Sequence, residues 1–95
     1  MKSSKTKDQP GEAVSRAVLE PLCLVVPQVV RARRLARGLT LLEVCRRSKL
    51  SLSMVTRIER GARVSGLDTL VRLGRALGCP PWELLREADR RLPRA

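Results

Sequence analysis

The chain has 95 residues, with 20 lysines and arginines against 9 aspartates and glutamates, a formal charge of +11. That length supports one small domain with a modest core, and the cationic excess favours an anionic partner: nucleic acid, an acidic protein or a membrane surface. There is no histidine and no tyrosine, which excludes histidine triads, histidine-bearing zinc sites and histidine general bases.

Three cysteines, Cys23, Cys45 and Cys79, form no C-x-x-C. They read as reduced, small apolar residues of an intracellular protein rather than metal or redox groups. No glycine-rich phosphate loop of the G-x-x-x-x-G-K-[ST] type occurs, so no cofactor, no metal and no enzymatic activity is expected. The start, "MKSSKTKDQPGE", lacks the apolar run of a signal peptide. The stretch "PLCLVVPQVV" is interrupted by Pro27 and Gln28 and is too short to span a bilayer. The expectation is a cytoplasmic, nucleoid-associated chain with no membrane contact.

Residues 1–26 carry four basic and three acidic residues, whereas 27–92 carry 15 basic and six acidic, a net +9. The charge therefore belongs to the folded part. Residues 1–11 are polar and expected to be disordered. "EAVSRAVLE" (12–20) suggests two helical turns that stop before Pro21. The expected division is a flexible or partly helical extension over 1–26 and a domain over 27–92.

Pro27 suits a first helical position. From there Val30, Ala32, Leu35 and Ala36 alternate with Arg31, Arg33, Arg34 and Arg37 until Gly38 ends the first helix of the domain. Thr40 with Glu43 three residues on makes a capping box for a second helix, Leu41 to about Ser48, with Leu42, Val44 and Cys45 inward. Ser51 caps a third, Leu52 to Arg60, stopped by Gly61. Ser65 and Asp68 suggest a box for the fourth, with Leu67, Leu70, Leu73 and Leu77 facing the core. Pro81 opens a fifth, with Leu84, Leu85 and Ala88 inward. Five helices and no strand make the fold all-α.

"TLLEVCRRSKLSLSMVTRIERG" (40–61) is thus two short helices around a tight turn. On a helical wheel of the second, Val55 and Ile58 point inward, while Ser53, Thr56, Arg57 and Arg60 gather on the opposite side. Leu52 and Met54 stand at its N-terminal shoulders. Hydroxyls and guanidiniums on one face of a short helix suit the DNA major groove. The capped N-terminus of the preceding helix offers backbone N–H groups to a phosphate, flanked by basic side chains. A helical hairpin with a solvated basic face satisfies the same periodicity.

The residues reached here resemble a lambda-repressor-like helix-turn-helix domain of the Cro/C1, or xenobiotic-response-element, type. The matching stretches are "RRLARGLT" (33–40), "EV" (43–44), "VTRIERG" (55–61), "LDTLVRLGRALGCP" (67–80) and "ELL" (83–85). The resemblance implies a five-helix bundle carrying an N-terminal extension, with its helix-turn-helix at 40–60 and a recognition helix at 52–60. It also implies a homodimer on a pseudopalindromic operator. On it, Leu52, Ser53, Met54, Thr56, Arg57 and Arg60 are expected to face bases. Thr40, Leu41, Arg46, Lys49, Ser51 and Arg63 are expected at phosphates. Arg34 and Glu59 occupy positions that form a structural salt bridge.

The departures are specific. Glutamines frequent in the family are replaced by Leu41 and Leu52, and a frequent alanine and glycine by Cys45 and Lys49. Leu52 and Met54 offer apolar contact to thymine methyls but no bidentate amide contact to adenine. The leading expectation is a transcriptional regulator, a repressor, that binds double-stranded DNA. An antitoxin or another partner-binding protein, reaching a protein through residues 1–26, is the alternative. A helix-turn-helix scaffold that has lost base readout is a further one. A dimer needs a joint: Val14, Val18, Leu19, Leu22, Leu24, Val25 and Val26 supply apolar surface for it, with Trp82 on the fifth helix as a second contact. The competing expectation is that residues 13–26 cap their own core.

Overall fold

The computed structural model describes residues 16–93 apart from 63 and 65, with side chains placed from residue 21 onward under the same exceptions. Its first element departs from the sequence reading. A single helix, α1 (Arg16–Ala36), runs through both Pro21 and Pro27, crossing the expected boundary between residues 26 and 27 without a break. Residues 12–15 of the expected short helix lie outside the described part.

A proline inside a helix removes one hydrogen bond and crowds the carbonyl four residues back, at a cost on the order of 3 kcal/mol. Burial offsets it here. Val29 and Val30 are wholly buried, Val26 nearly so, and the Pro27 ring is itself enclosed, with Leu22 and Val25 packed alongside. Each such side chain contributes roughly 1.5–3 kcal/mol when removed from water. Three or four of them outweigh two prolines. Leu22, Val25 and Val26 therefore serve their own core, while Leu24 remains exposed.

The helix ends where the chain permits a left-handed residue. Gly38 has φ 68°. The Leu39 N–H donates to the Arg34 carbonyl at 3.0 Å and the Gly38 N–H to the Leu35 carbonyl at 3.0 Å, closing the end with two crossed bonds.

Helix α2 (Leu41–Ser48) opens on a complete capping box. The Glu43 N–H donates to Thr40 Oγ1 at 3.1 Å, and the Thr40 N–H donates to Glu43 Oε1 at 2.8 Å. The Thr40 backbone N–H, and after it the Thr40 side chain, hold the Glu43 carboxyl below its ordinary pKa. The inward stripe is Leu41, Val44, Cys45 and Ser48, the i, i+3, i+4, i+7 spacing of one helix face. Leu42, expected inward, lies off that stripe and is exposed.

Helix α3 (Leu52–Glu59) follows Ser51, whose hydroxyl accepts the Met54 N–H at 3.1 Å. Helix α4 (Leu67–Leu77) is capped by Gly66, not Ser65, with no side-chain hydrogen bond; Ser65 lies outside the described residues. Leu67, expected in the core, is 77% exposed at the helix start. Leu70, Leu73, Gly74, Ala76 and Leu77 form the buried face. Gly74 lets the next helix approach: a Cβ there would stand 2.8 Å from the Cys79 carbonyl oxygen and 3.2 Å from the Pro81 nitrogen. Helix α5 (Pro81–Arg91) buries Leu84 and Ala88 and leaves Leu85 partly exposed.

These five helices are the only regular elements among the described residues. The pair α2–α3 packs mainly through α2 on α4, and α1 lies along α5 while touching α3 and α4. Arg33 joins α1 to α5, its Nη2 3.1 Å from Glu87 Oε1 and 3.6 Å from Glu83 Oε1. No described helix is long and apolar enough to cross a membrane.

The turn between α2 and α3 holds one strained residue. Lys49 has φ 62°, the only positive φ of a non-glycine residue among those described. That conformation costs a residue with a Cβ roughly 1–2 kcal/mol, part of which a glycine returns through its freer unfolded chain. Lys49→Gly is therefore expected to raise stability by up to about 1 kcal/mol. Urea unfolding monitored by circular dichroism checks it, as a higher midpoint at unchanged slope.

Candidate nucleic-acid interface

Helix α3 has eight residues, too few to be stable alone in water. Its inner side is set by Val55 and Ile58, 0% and 3% exposed. The opposite side carries exposed Ser53, Arg57 and Arg60, with Thr56 half-buried at its edge. Leu52, at the first position, is 47% exposed. Met54 is turned toward the core and half-buried against it, which withdraws most of its side chain from the outer face. The outward row is therefore shorter and more polar than the sequence reading proposed.

The helix is locked at its other end by ions. Arg34 of α1 donates through Nε to Glu59 Oε2 at 2.7 Å and through Nη2 to Glu59 Oε1 at 2.9 Å. Its Nη1 donates to the Leu39 carbonyl at 2.9 Å. The side chains are 12% and 7% exposed, so the fork forms almost out of water. The hydrogen bond to Glu59 raises the Arg34 pKa further above its ordinary value, with burial opposing. Arg31, one turn earlier and more than half exposed, brings its Nε to 4.0 Å from the same carboxylate.

The remaining expected residues lie around the helix pair. Thr40 and Ser51 are exposed caps whose hydroxyl oxygens accept N–H bonds. Arg46 and Lys49 are exposed. The Leu41 side chain packs against the core, so only its backbone N–H, at the start of α2, is left for an anion. Arg63 lies outside the described residues.

Several arginines have internal work that charge counting does not reveal. Arg33 binds α5, as described. Arg72 of α4 donates through Nη1 to the Ser48 carbonyl at 3.2 Å and through Nε to Asp68 Oδ2 at 3.0 Å. Arg91 pairs with Glu87 at 3.1 Å. Arg72 and Asp68 stand four apart on a predicted helix, a legible signal; the reach to Ser48 is not legible locally. Among the described residues no group of three or more histidine, cysteine, aspartate or glutamate side chains is placed to hold a metal ion.

A family model described as helix-turn-helix matches residues 30–84. A mutant of the restriction-modification controller protein C.Esp1396I, in a trigonal crystal form, superposes with a TM-score of 0.64 at 22% identity, covering 74% of this chain and 97% of that one. At that identity the likeness concerns the fold. No curated protein matches the chain.

Removing one partner of the α1–α3 fork strands the other charge. Glu59→Ala is expected to cost about 3 kcal/mol, Arg34→Ala a similar amount, and the double variant less than their sum. Thermal or urea unfolding of the four proteins measures the cycle. Additive losses would show that the two side chains do not act as one unit.

Proposed function

The chain belongs to the helix-turn-helix family of the Cro/C1 type and is a DNA-binding transcription regulator; from that premise we propose that it is a repressor, acting as a homodimer on a pseudopalindromic operator. Residues 27–92 are the DNA-binding unit, and α3 with its C-terminal Arg60 is the reading element. Ser53, Thr56, Arg57 and Arg60 meet base edges, Leu52 meets a thymine methyl, and Thr40, Arg46, Lys49, Ser51 and Arg63 hold phosphates beside the backbone N–H of Leu41. The observation that carries this reading is the two-sidedness of α3. Val55, Ile58 and Glu59 are all turned inward, while the other side, Leu52 at its start apart, exposes Ser53, Arg57 and Arg60 with Thr56 at its edge.

The dimer reading rests on a second surface. An apolar cleft of about 340 Å³ opens between α1, α4 and α5, lined by Leu22, Val26, Leu67, Leu70 and Leu85 among others. None of its lining residues among those described is charged. Val71, one turn from Leu67, and Trp82, one turn from Leu85, continue the exposed apolar surface at 39% and 64%. In a chain of charge +11, a second copy approaches best on a face without cations. The occupant proposed for this face is that second copy, which spaces two reading helices about one DNA turn apart, roughly 34 Å. A different protein on the same face is the antitoxin-like alternative.

Two experiments test these readings. With several arginines engaged internally, a dimer touching on the order of 6–10 phosphates loses roughly 10³- to 10⁵-fold in affinity between 50 and 200 mM salt; a flat mobility-shift response contradicts phosphate binding. At the preferred site Arg57→Ala is expected to cost about 1–3 kcal/mol and relax one base position, whereas equal losses on random DNA deny it a reading role. For the joint, Trp82→Glu and Leu67→Glu are expected to shift sedimentation from dimer to monomer without unfolding the domain, since both side chains are mostly exposed. A dimer undisturbed by both places the joint elsewhere.

A further inference from the structure

The α2–α3 turn is closed by groups from three places. Ser48, the last residue of α2, is a buried polar residue, 1% exposed. Its Oγ accepts the Leu50 N–H at 3.2 Å and donates to the Cys45 carbonyl at 3.4 Å. The Lys49 N–H donates to that same carbonyl at 2.8 Å. The Ser48 carbonyl itself is one of the four at a helix end that no intrahelical N–H reaches. Arg72 supplies its donor from α4, at 3.2 Å.

That contact is unlike the rest of the Arg72 environment. The Asp68 side chain is 81% exposed, and an exposed i,i+4 ion pair adds little to stability. Its effect is to orient the guanidinium. The bond to the Ser48 carbonyl is charge-assisted and bears on the backbone of the residue that precedes the left-handed Lys49. Small changes in the dihedral angles of Ser48 and Lys49 tilt the start of α3, whose far end the Arg34–Glu59 fork holds. Ser53, Thr56 and Arg57, between the turn and that fork, move with such a tilt.

We propose that Arg72 is a positioning residue for DNA reading: by holding the Ser48 carbonyl it fixes the α2–α3 turn and so the angle at which α3 is presented. The inference rests on the reading role proposed for α3. It separates two kinds of contact. Bidentate bonds to base edges tolerate displacements of only about 0.5 Å, whereas long lysines and arginines follow a displaced phosphate. Loss of the Arg72 bond therefore lowers sequence preference and leaves electrostatic binding intact.

The test uses the full chain and two probes: a duplex selected by the wild-type protein from a random-sequence pool, and a scrambled duplex of the same composition. Arg72→Met keeps the aliphatic stem and removes the donors. It is expected to bind the selected duplex about tenfold more weakly and the scrambled one within about twofold, with an unchanged salt slope. Arg72→Lys, which reaches one acceptor as a point charge, is expected to lose about threefold in preference. Equal loss on both duplexes, with a salt slope smaller by about one, makes Arg72 a phosphate contact and overturns the proposal. An unchanged preference in folded Arg72→Met overturns it as well. Should Arg72→Met fail to fold, Arg72→Lys carries the comparison, and an unchanged preference there is equally contrary. Failure of the wild-type protein to enrich any duplex is a different result: it removes the reading role of α3, and the positioning role falls with it.

Discussion

The fork between Arg34 and Glu59 is the constraint on which the arrangement of α3 depends. Three N–H groups of one guanidinium hold the Glu59 carboxylate twice and the Leu39 carbonyl once, so a single side chain of α1 ties together α3 and the loop before α2. Apolar contact at Val55 and Ile58 holds α3 down but leaves it free to turn and slide. A bidentate ion pair is directional and removes that freedom. Its net contribution to stability is modest, because the desolvation of both charges opposes their attraction. Orientation is what it contributes most.

Arginine, 16 of the 95 residues, has two opposed duties in this chain. Arg33, Arg34 and Arg72 turn their guanidiniums to carboxylates and carbonyls of other elements; Arg46, Arg57 and Arg60 remain outside. The planar fork of five donors suits both, since a backbone carbonyl, a carboxylate and a phosphate oxygen all accept N–H bonds in its plane. A net charge summed along the chain therefore overstates the charge that faces a nucleic acid. The part proposed to face DNA lies on one side of α3 and around the starts of α2 and α3.

The long α1 shows the same preference of tertiary contact over local rule. Two prolines predict a broken segment, and locally they are unfavourable there. The face made by Val26, Val29 and Val30 has a place to go, however, between the short helix α3 and the buried face of α5. With α1 continuous, Leu22 and Val26 also form one wall of the apolar cleft beside α4 and α5. The helix that carries Arg34 toward the reading element thus also builds the surface assigned to a second copy.

Much of the domain was legible because its signals are local. The capping box of Thr40 and Glu43, the glycines at 38 and 61, and the pairs Val55/Ile58 and Leu84/Ala88 each specify a helix end or a buried stripe within a few residues of chain. Expectations failed where the outcome depended on what lies across the fold. Leu42 and Leu67 are as apolar as Leu41 and Leu70, and only the direction of the neighbouring helix decides which of them is covered. Pro21 and Pro27 stop a helix unless burial elsewhere outweighs the lost bonds, and that burial is not written near them. Met54 and Leu41 were assigned to the nucleic-acid face by position, and packing turned both side chains toward the core. The sequence by itself determined the number of domain helices, most of their ends, and the polar row of α3, because capping and periodicity act over one or two turns. Tertiary structure alone decided which arginines are internal, which leucines remain in water, and that Arg72 reaches the Ser48 carbonyl 24 residues away, because those outcomes depend on distances between elements that no local pattern encodes.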